Sequence, residues 1–150
     1  MSALTIRRCS CADILENPAW PEVQKAYADE VRYPDLPADL DYLMYLRLET
    51  VGVLKIVGGF DAEGRLVAVC NYLVFQLPHF AGKSLASSES LWVDPAHRGA
   101  FSVRFIREVE RYAKQDGCYG IYFGTKEGTA AERFFSRVAT PMNRVFWKKL

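Results

Sequence analysis

The sequence predicts a single α/β domain: a mixed, mostly antiparallel sheet with a central parallel strand pair and helices on both faces. Three observations predict it. Residues 53–60, 65–77 and 84–93 are consecutive β-rich runs joined by short turn sequences, which gives an antiparallel half. The stretch Glu89–Thr125 reads as strand, tight loop, long amphipathic helix and strand, a unit that closes as a parallel pair with a right-handed crossover. At 150 residues, 50% apolar and 25% charged, the chain has the size and composition of one soluble domain, and it carries no linker, repeat or low-complexity tract.

Taken in order, residues 4–9 (LTIRRC) alternate apolar and polar and predict a first strand. Ser10 or Asp13 caps the helical region that follows, residues 12–31, which Pro18 and Pro21 split because a proline cannot donate within a helix. The segment RYPDLPA (32–38) is a loop, and Asp39 is placed to cap a second helix over 40–50. Apolar residues surround most of that helix, so it is expected to be well covered. Strands follow at 53–60 and 65–77, joined by the turn Asp61–Gly64. The second is long and rich in β-branched and aromatic residues, which suits a central strand. Residues 78–83 form a loop and 84–93 the next strand. The helix 101–116 puts Phe105, Ile106, Val109, Tyr112 and Ala113 on one face and ends at Gly117. A strand at 118–125, a helix at 128–138 with Thr129 as cap, and a closing strand at 144–150 complete the order. Phe134, Phe135, Phe146 and Trp147 are expected to be core.

The bulk properties exclude several partners. A net charge of +1 gives no reason to expect nucleic acid or an anionic membrane. The longest apolar run, 66–77, is broken by Asn71 and Gln76 and is too short to span a bilayer. The amino terminus MSALTIRRCS has no apolar h-region, and Cys9, Cys11, Cys70 and Cys118 form no C-x-x-C pair, so a cytoplasmic protein without a metal site is expected. The junction after Val93, where a strand's carboxyl end meets a helix's amino end, presents unpaired backbone N–H groups and is a natural anion site.

The run Leu91-Trp92-Val93-Asp94-Pro95, followed by His97-Arg98-Gly99, resembles the strand ending "L-x-V-x-P-x-x-R-G" of the GNAT superfamily of acyl-CoA-dependent N-acyltransferases. Helix 101–116 and the segment Ile121-Tyr122-Phe123 are similar to that family's next helix and strand. Residues 128–135 resemble its "N-x-x-A-x-x-x-Y" helix, and 141–150 its closing strand. The likeness is clear over the second half of the chain and rests on element order in the first. It implies a GNAT-like fold and transfer of an acetyl group from acetyl-CoA, as cosubstrate, to an amine on a small molecule or a protein. It further implies that Leu91, Trp92, Val93, Arg98, Gly99, Ala100, Phe101, Ser102, Val103 and Arg104 bind the coenzyme, and that Glu89 is the base, with His79 as runner-up.

Two departures bear on chemistry. The family's pyrophosphate loop reads R/Q-x-x-G-x-G/A; set on Arg98, its two glycines fall on Phe101 and Val103. Glycine there lets a backbone N–H approach a phosphate oxygen without a side chain in the way. The tyrosine that often protonates the departing thiolate falls on Phe135, which has no proton to give. An alternative therefore stands beside the enzyme: a GNAT-like protein with weakened or lost catalysis, acting in binding or assembly, a kind that phages also encode. The two diverge on whether Phe101 and Val103 fill the cleft or turn into the core. An acidic, aromatic approach in the first half, with Tyr27, Tyr33, Tyr42 and Tyr45 among five acids, would suit a cationic amine, and solvated helix faces explain the same charges. Edge-strand pairing into a homodimer, or another assembly partner, is compatible with such a sheet.

Overall fold

Five strands lie side by side in chain order in a computed structural model that describes residues 4–33 and 35–150. They are β1 (Thr5–Cys9), β2 (Leu54–Phe60), β3 (Leu66–Gln76), β4 (Ser84–Val93) and β5 (Cys118–Tyr122). The first four pair antiparallel, and β5 runs parallel to β4. The expected mixed sheet is thus present, with its parallel pair at the β4–β5 end. The helices are α1 (Cys11–Leu15), α2 (Trp20–Val31), α3 (Tyr42–Thr50), α4 (Ala100–Gln115) and α5 (Ala130–Val138).

Side-chain alternation along the strands divides the core into two layers. On one face Ile56, Leu66, Val69 and Trp92 meet Cys11, Ile14, Ala19 and Val23 of α1, α2 and their junction. On the other, Val57, Val67, Ala68, Cys70 and Ala86 meet the stripe Phe101, Phe105, Val109 and Ala113 of α4. Fully burying an aromatic or aliphatic side chain of this kind contributes about 1.5–3 kcal/mol. β3 is therefore covered on both faces, which is why its sequence is a nearly unbroken apolar run.

Local signals account for most boundaries. Ser10 accepts the Asp13 N–H, and the Asp13 carboxylate accepts the Ser10 N–H at 2.7 Å, a reciprocal cap for α1. Pro21 sits in the first turn of α2, where its missing donor costs nothing. Thr129 caps α5 through the Glu132 N–H. The cap of α3 is Asp41, which accepts the Met44 N–H, and not Asp39: the helix starts two residues later than expected.

Two expectations fail. First, α3 buries none of its residues, and Leu43, Met44 and Leu46 are exposed; an all-round apolar helix here lies across the edge of a core layer and is not enclosed by it. Second, residues 140–150 form no strand. Alternation cannot make a strand without an edge to pair with, and no backbone bond joins this segment to β5 among the described residues. Val145, Phe146 and Trp147 are exposed and are not core, while Phe135 is buried as expected.

A polar network ties α4 to the sheet. Arg8 of β1 donates to both oxygens of Asp116, at 3.0 and 2.9 Å, and to the Tyr72 hydroxyl at 2.8 Å. Tyr72 in turn donates to Asp116 at 2.6 Å. Burial, and then the Asp116 carboxylate, raise the Tyr72 pKa, so it remains a donor. Replacing Asp116 with alanine should cost about 2 kcal/mol, less than a fully buried pair because Arg8 keeps some solvent. Urea unfolding should show the lower midpoint at an unchanged m-value.

Candidate functional site: a splayed strand pair facing an uncapped helix

The β4–β5 ladder stops at Ser87 paired with Tyr122, although β4 continues to Val93. Just beyond, Ser88 Oγ accepts the Gly124 N–H at 3.1 Å and pins the point where the strands part. A backbone edge is left open from there to Val93. Which residues point into it follows from pleating. The Asp94 N–H is bonded to the Val67 carbonyl on the β3 side. Successive N–H groups turn to opposite edges, so those of Val93 and Leu91 face the opening. Trp92 pairs opposite Val69, turns its N–H toward β3 and buries its indole in the core.

The open edge leads to the amino end of α4. Gly99 is the N-cap, at φ 105° and ψ −126°, a conformation that glycine alone adopts without strain. No side chain among the described residues caps this end. Among the described residues the N–H groups of Gly99, Ala100, Phe101 and Ser102 have no acceptor, and the first bonded one is that of Val103, to the Gly99 carbonyl at 3.2 Å. A β-carbon built on Gly99 would meet nothing within 4 Å, so the space before these donors is clear. Free N–H groups at the positive end of a 16-residue helix are a fit for a pyrophosphate.

Phe101 does not fill that space. Its ring is buried in the α4-side core, 6.1 Å from Phe105 and 6.3 Å from His97. It lies against Gly59 of β2, where an added β-carbon would come within 2.9 Å of the ring. The bulk introduced at a loop-glycine position is thus absorbed by a glycine 42 residues earlier, and the backbone stays accessible. Gly59→Ala should force the ring to shift, lower stability by about 1–3 kcal/mol and weaken coenzyme binding. The further change Phe101→Leu should restore both, as a thermal-shift titration of the single and double variants would show.

The two arginines are already engaged. Arg98 donates through Nε to the Val93 carbonyl at 2.9 Å and also pairs with Glu30 of α2, so it braces the loop. Arg104 bonds the Leu4 carbonyl and lies 5.5 Å from the Phe101 ring centre. The helix terminus therefore carries the anion-binding geometry by itself.

Glu89 is placed by a bulge. Ser90 and Ser88 pair with Asn71 and Tyr72, leaving Glu89 as the extra residue. A bulge re-aims a side chain, and here it turns an exposed carboxylate toward the Tyr45 hydroxyl, with its charge also felt at Tyr27. Burial first, and then the Glu89 charge, raise the Tyr45 pKa and push Tyr27 up to about 12. Both phenols thus stay protonated at neutral pH. His79 is exposed in the turn between β3 and β4, its ring 4.3 Å from that of Phe80, at the far end of β4 from the loop.

Other groups fall outside the chemistry. Phe135 is buried and stacked on Phe123 at 4.5 Å, so no acid replaces the tyrosine expected there. Ser136 donates to the Glu132 carbonyl. Cys11 is held as a thiol, its pKa pushed up to about 12 by burial and Glu49. Tyr27 and Tyr45 stand where the aromatic approach was expected, whereas Ser88 and Asn71 belong to the site without standing out by motif. The available signal was a lone asparagine inside the apolar run of β3, since a buried polar group needs a reason.

The pattern of the acetyltransferase (GNAT) family matches residues 18–139. A search of curated proteins found no match. Solved structures share the fold at low identity. A ribosomal-protein-alanine N-acetyltransferase from Brucella melitensis biovar Abortus 2308 superposes with a TM-score of 0.74 at 14% identity, over 99% of each chain. An aminoglycoside acetyltransferase from an uncultured soil metagenomic sample, solved with sisomicin, gives 0.75 at 16%, over 98% of this chain and 96% of that one. The structure of AAC(6')-Iy with a bisubstrate analogue containing CoA gives 0.73 at 16%, over 99% of each chain. Family pattern, strand order, splayed β4 edge and uncapped α4 agree, and the chain belongs to the acetyltransferase (GNAT) family.

Proposed function

We propose that the protein moves an acetyl group from acetyl-CoA to a primary amine. The observation that carries this reading is the continuity of the open β4 edge with the uncapped α4 terminus: one row of free N–H groups, on Leu91 and Val93, followed by a second on Gly99 to Ser102. The likeness to a structure bound to a CoA-containing analogue supports the same ligand.

Acetyl-CoA supplies an activated thioester carbonyl. The chain's own groups do the rest. Glu89 accepts a proton from the incoming ammonium, directly or through one water, and so supplies the neutral amine. The Leu91 and Val93 N–H groups donate to negative charge developing on the carbonyl oxygen. The α4 terminus holds the anionic end and fixes the distance to Glu89. The neutral nitrogen attacks the thioester carbon, the C–S bond breaks as the C–N bond forms, and the surplus nitrogen proton passes through solvent to the departing thiolate. With a free thiol pKa of about 8.5, that thiolate leaves readily at neutral pH without a side-chain acid.

The test is release of free thiol from acetyl-CoA across a panel of primary amines. Amine-dependent release, with acetylated amine as product, is expected. Binding of acetyl-CoA with no release for any amine would overturn the enzymatic reading.

A further inference from the structure

We propose that the acceptor is a primary amine carried on an apolar, flat or slender body, such as an arylalkylamine, and not an amino sugar or polyamine. This inference rests on the acetyltransferase reading and names the substrate class for the same site.

A cleft opens beside Glu89 on the face of the sheet opposite α4. Its floor is Val69, Asn71 and Ser90, and its walls are α1, α2 and the start of α3. Ile14, Trp20, Val23, Tyr27, Leu40 and Tyr45 give it an apolar and aromatic lining, and no aspartate or glutamate is among its lining residues. Several acids of this half of the sequence are engaged: Glu30 pairs with Arg98, Asp41 caps α3, and Glu49 accepts the N–H of Cys11 at the cleft wall. The carboxylate free to take a proton here is Glu89, facing the Tyr45 hydroxyl, since that of Glu49 is held by the Cys11 N–H. A polycation entering here would leave its additional charges against apolar walls without counter-charge, a costly desolvation. A molecule with one amine and an apolar body leaves none.

Two buried atoms point to a ligand independently. Among the described residues Asn71, 8% exposed, meets the Tyr45 hydroxyl through its amide but has no donor for Oδ1, and Trp20 Nε1 has no acceptor. Trp92 Nε1 and His97 Nδ1 also lack a hydrogen-bond partner, but lie outside the cleft. Such orphans are rare in native cores. Asn71 Oδ1 lies on the cleft floor next to Ser90, the neighbour of Glu89, where an amine N–H supplies the missing donor. Trp20 Nε1 supplies a donor to a hydroxyl or carbonyl oxygen elsewhere on the acceptor. The cavity proper is about 40 Å³, which suits a narrow group. Its α3 wall buries no residue of its own and is joined to the other walls by the Tyr42 hydroxyl donating to Gln24 at 2.7 Å and by Glu49 accepting the Cys11 N–H at 2.8 Å, so a ring requires this wall to shift.

The experiment compares 2-phenylethylamine, tyramine and hexylamine with glucosamine and spermidine. It reads thiol release from acetyl-CoA and, separately, amine binding by quenching of tryptophan fluorescence. We expect kcat/KM for the arylalkylamines at least about tenfold above the sugar and the polyamine, the discrimination roughly 1.4 kcal/mol would give. In Leu40→Asp, a loop substitution at the cleft wall, that preference should shrink severalfold while the melting temperature holds. Equal rates across the panel, or preference for glucosamine or spermidine, overturn the acceptor assignment and leave the acetyltransferase reading intact. Quenching by arylalkylamines with no thiol release from any amine supports the cleft assignment and overturns the enzymatic reading. No quenching by any arylalkylamine and no release overturn both.

Discussion

Glu89→Gln should lower kcat for amine acetylation by about 10²–10⁴-fold, the range for loss of a positioned general base. Glutamine keeps the shape and the hydrogen-bonding oxygen but cannot take a proton from the ammonium. Affinity for acetyl-CoA should be unchanged, because the site we propose for the coenzyme, the β4 edge and the α4 terminus, does not include the Glu89 carboxylate. Stability should also hold, since Glu89 is exposed and is the extra residue of a bulge, outside the regular pairing. Steady-state kinetics with saturating acetyl-CoA separate these terms. A fall of less than about tenfold would place the base elsewhere.

The second large effect is at Gly99. Its φ of 105° is open to glycine and strained for any L side chain. Holding alanine there costs of order 1–3 kcal/mol, and relief comes by rotating the backbone that aims the Gly99–Ser102 donors. A β-carbon at Gly99 would meet no protein atom within 4 Å, so no clash masks the backbone effect on the proposed ligand site. Gly99→Ala should therefore raise the acetyl-CoA dissociation constant by about 10–100-fold while KM for the amine moves little. Isothermal titration with acetyl-CoA reads the first, and initial-rate kinetics the second. Equal affinity in the two proteins would place the coenzyme away from this loop.

These effects depend on features of unequal legibility in the sequence. The strand 84–93, the glycine turn at Gly99 and the amphipathic α4 were readable, because each is a local pattern: a period, a turn residue, a cap. The direction of Phe101 was not. Whether that ring closes the cleft or enters the core depends on Gly59, which lies on another strand and becomes its neighbour only after folding. The bulge at Glu89 was equally hidden, since an extra residue is defined by its partner strand and not by its own composition.

The misreadings have the same origin. The pattern of α3 shows apolar residues on all sides and suggests enclosure, but enclosure depends on what packs around it: α3 meets α1, α2 and β2 on one side and leaves Leu43, Met44 and Leu46 to solvent. The sequence VFWKKL suggests a strand, but pairing needs an edge, and the open side of β5 is not joined to it. The acids of the first half looked like an approach for a cation; the fold spends several of them on caps and on the Arg98 brace, leaving a cleft lined by aromatic and aliphatic groups.

The central claim is that the α4 terminus still binds a pyrophosphate despite Phe101 and Val103. The most direct measurement is a thermal-shift titration comparing acetyl-CoA with S-acetylpantetheine, which carries the same thioester without the pyrophosphate. Binding to the native state alone should add about 2.7 kcal/mol at a hundred times the dissociation constant. We predict a clear, saturable stabilisation by acetyl-CoA and little by S-acetylpantetheine. No stabilisation at millimolar acetyl-CoA, or an equal effect from both compounds, would contradict the claim.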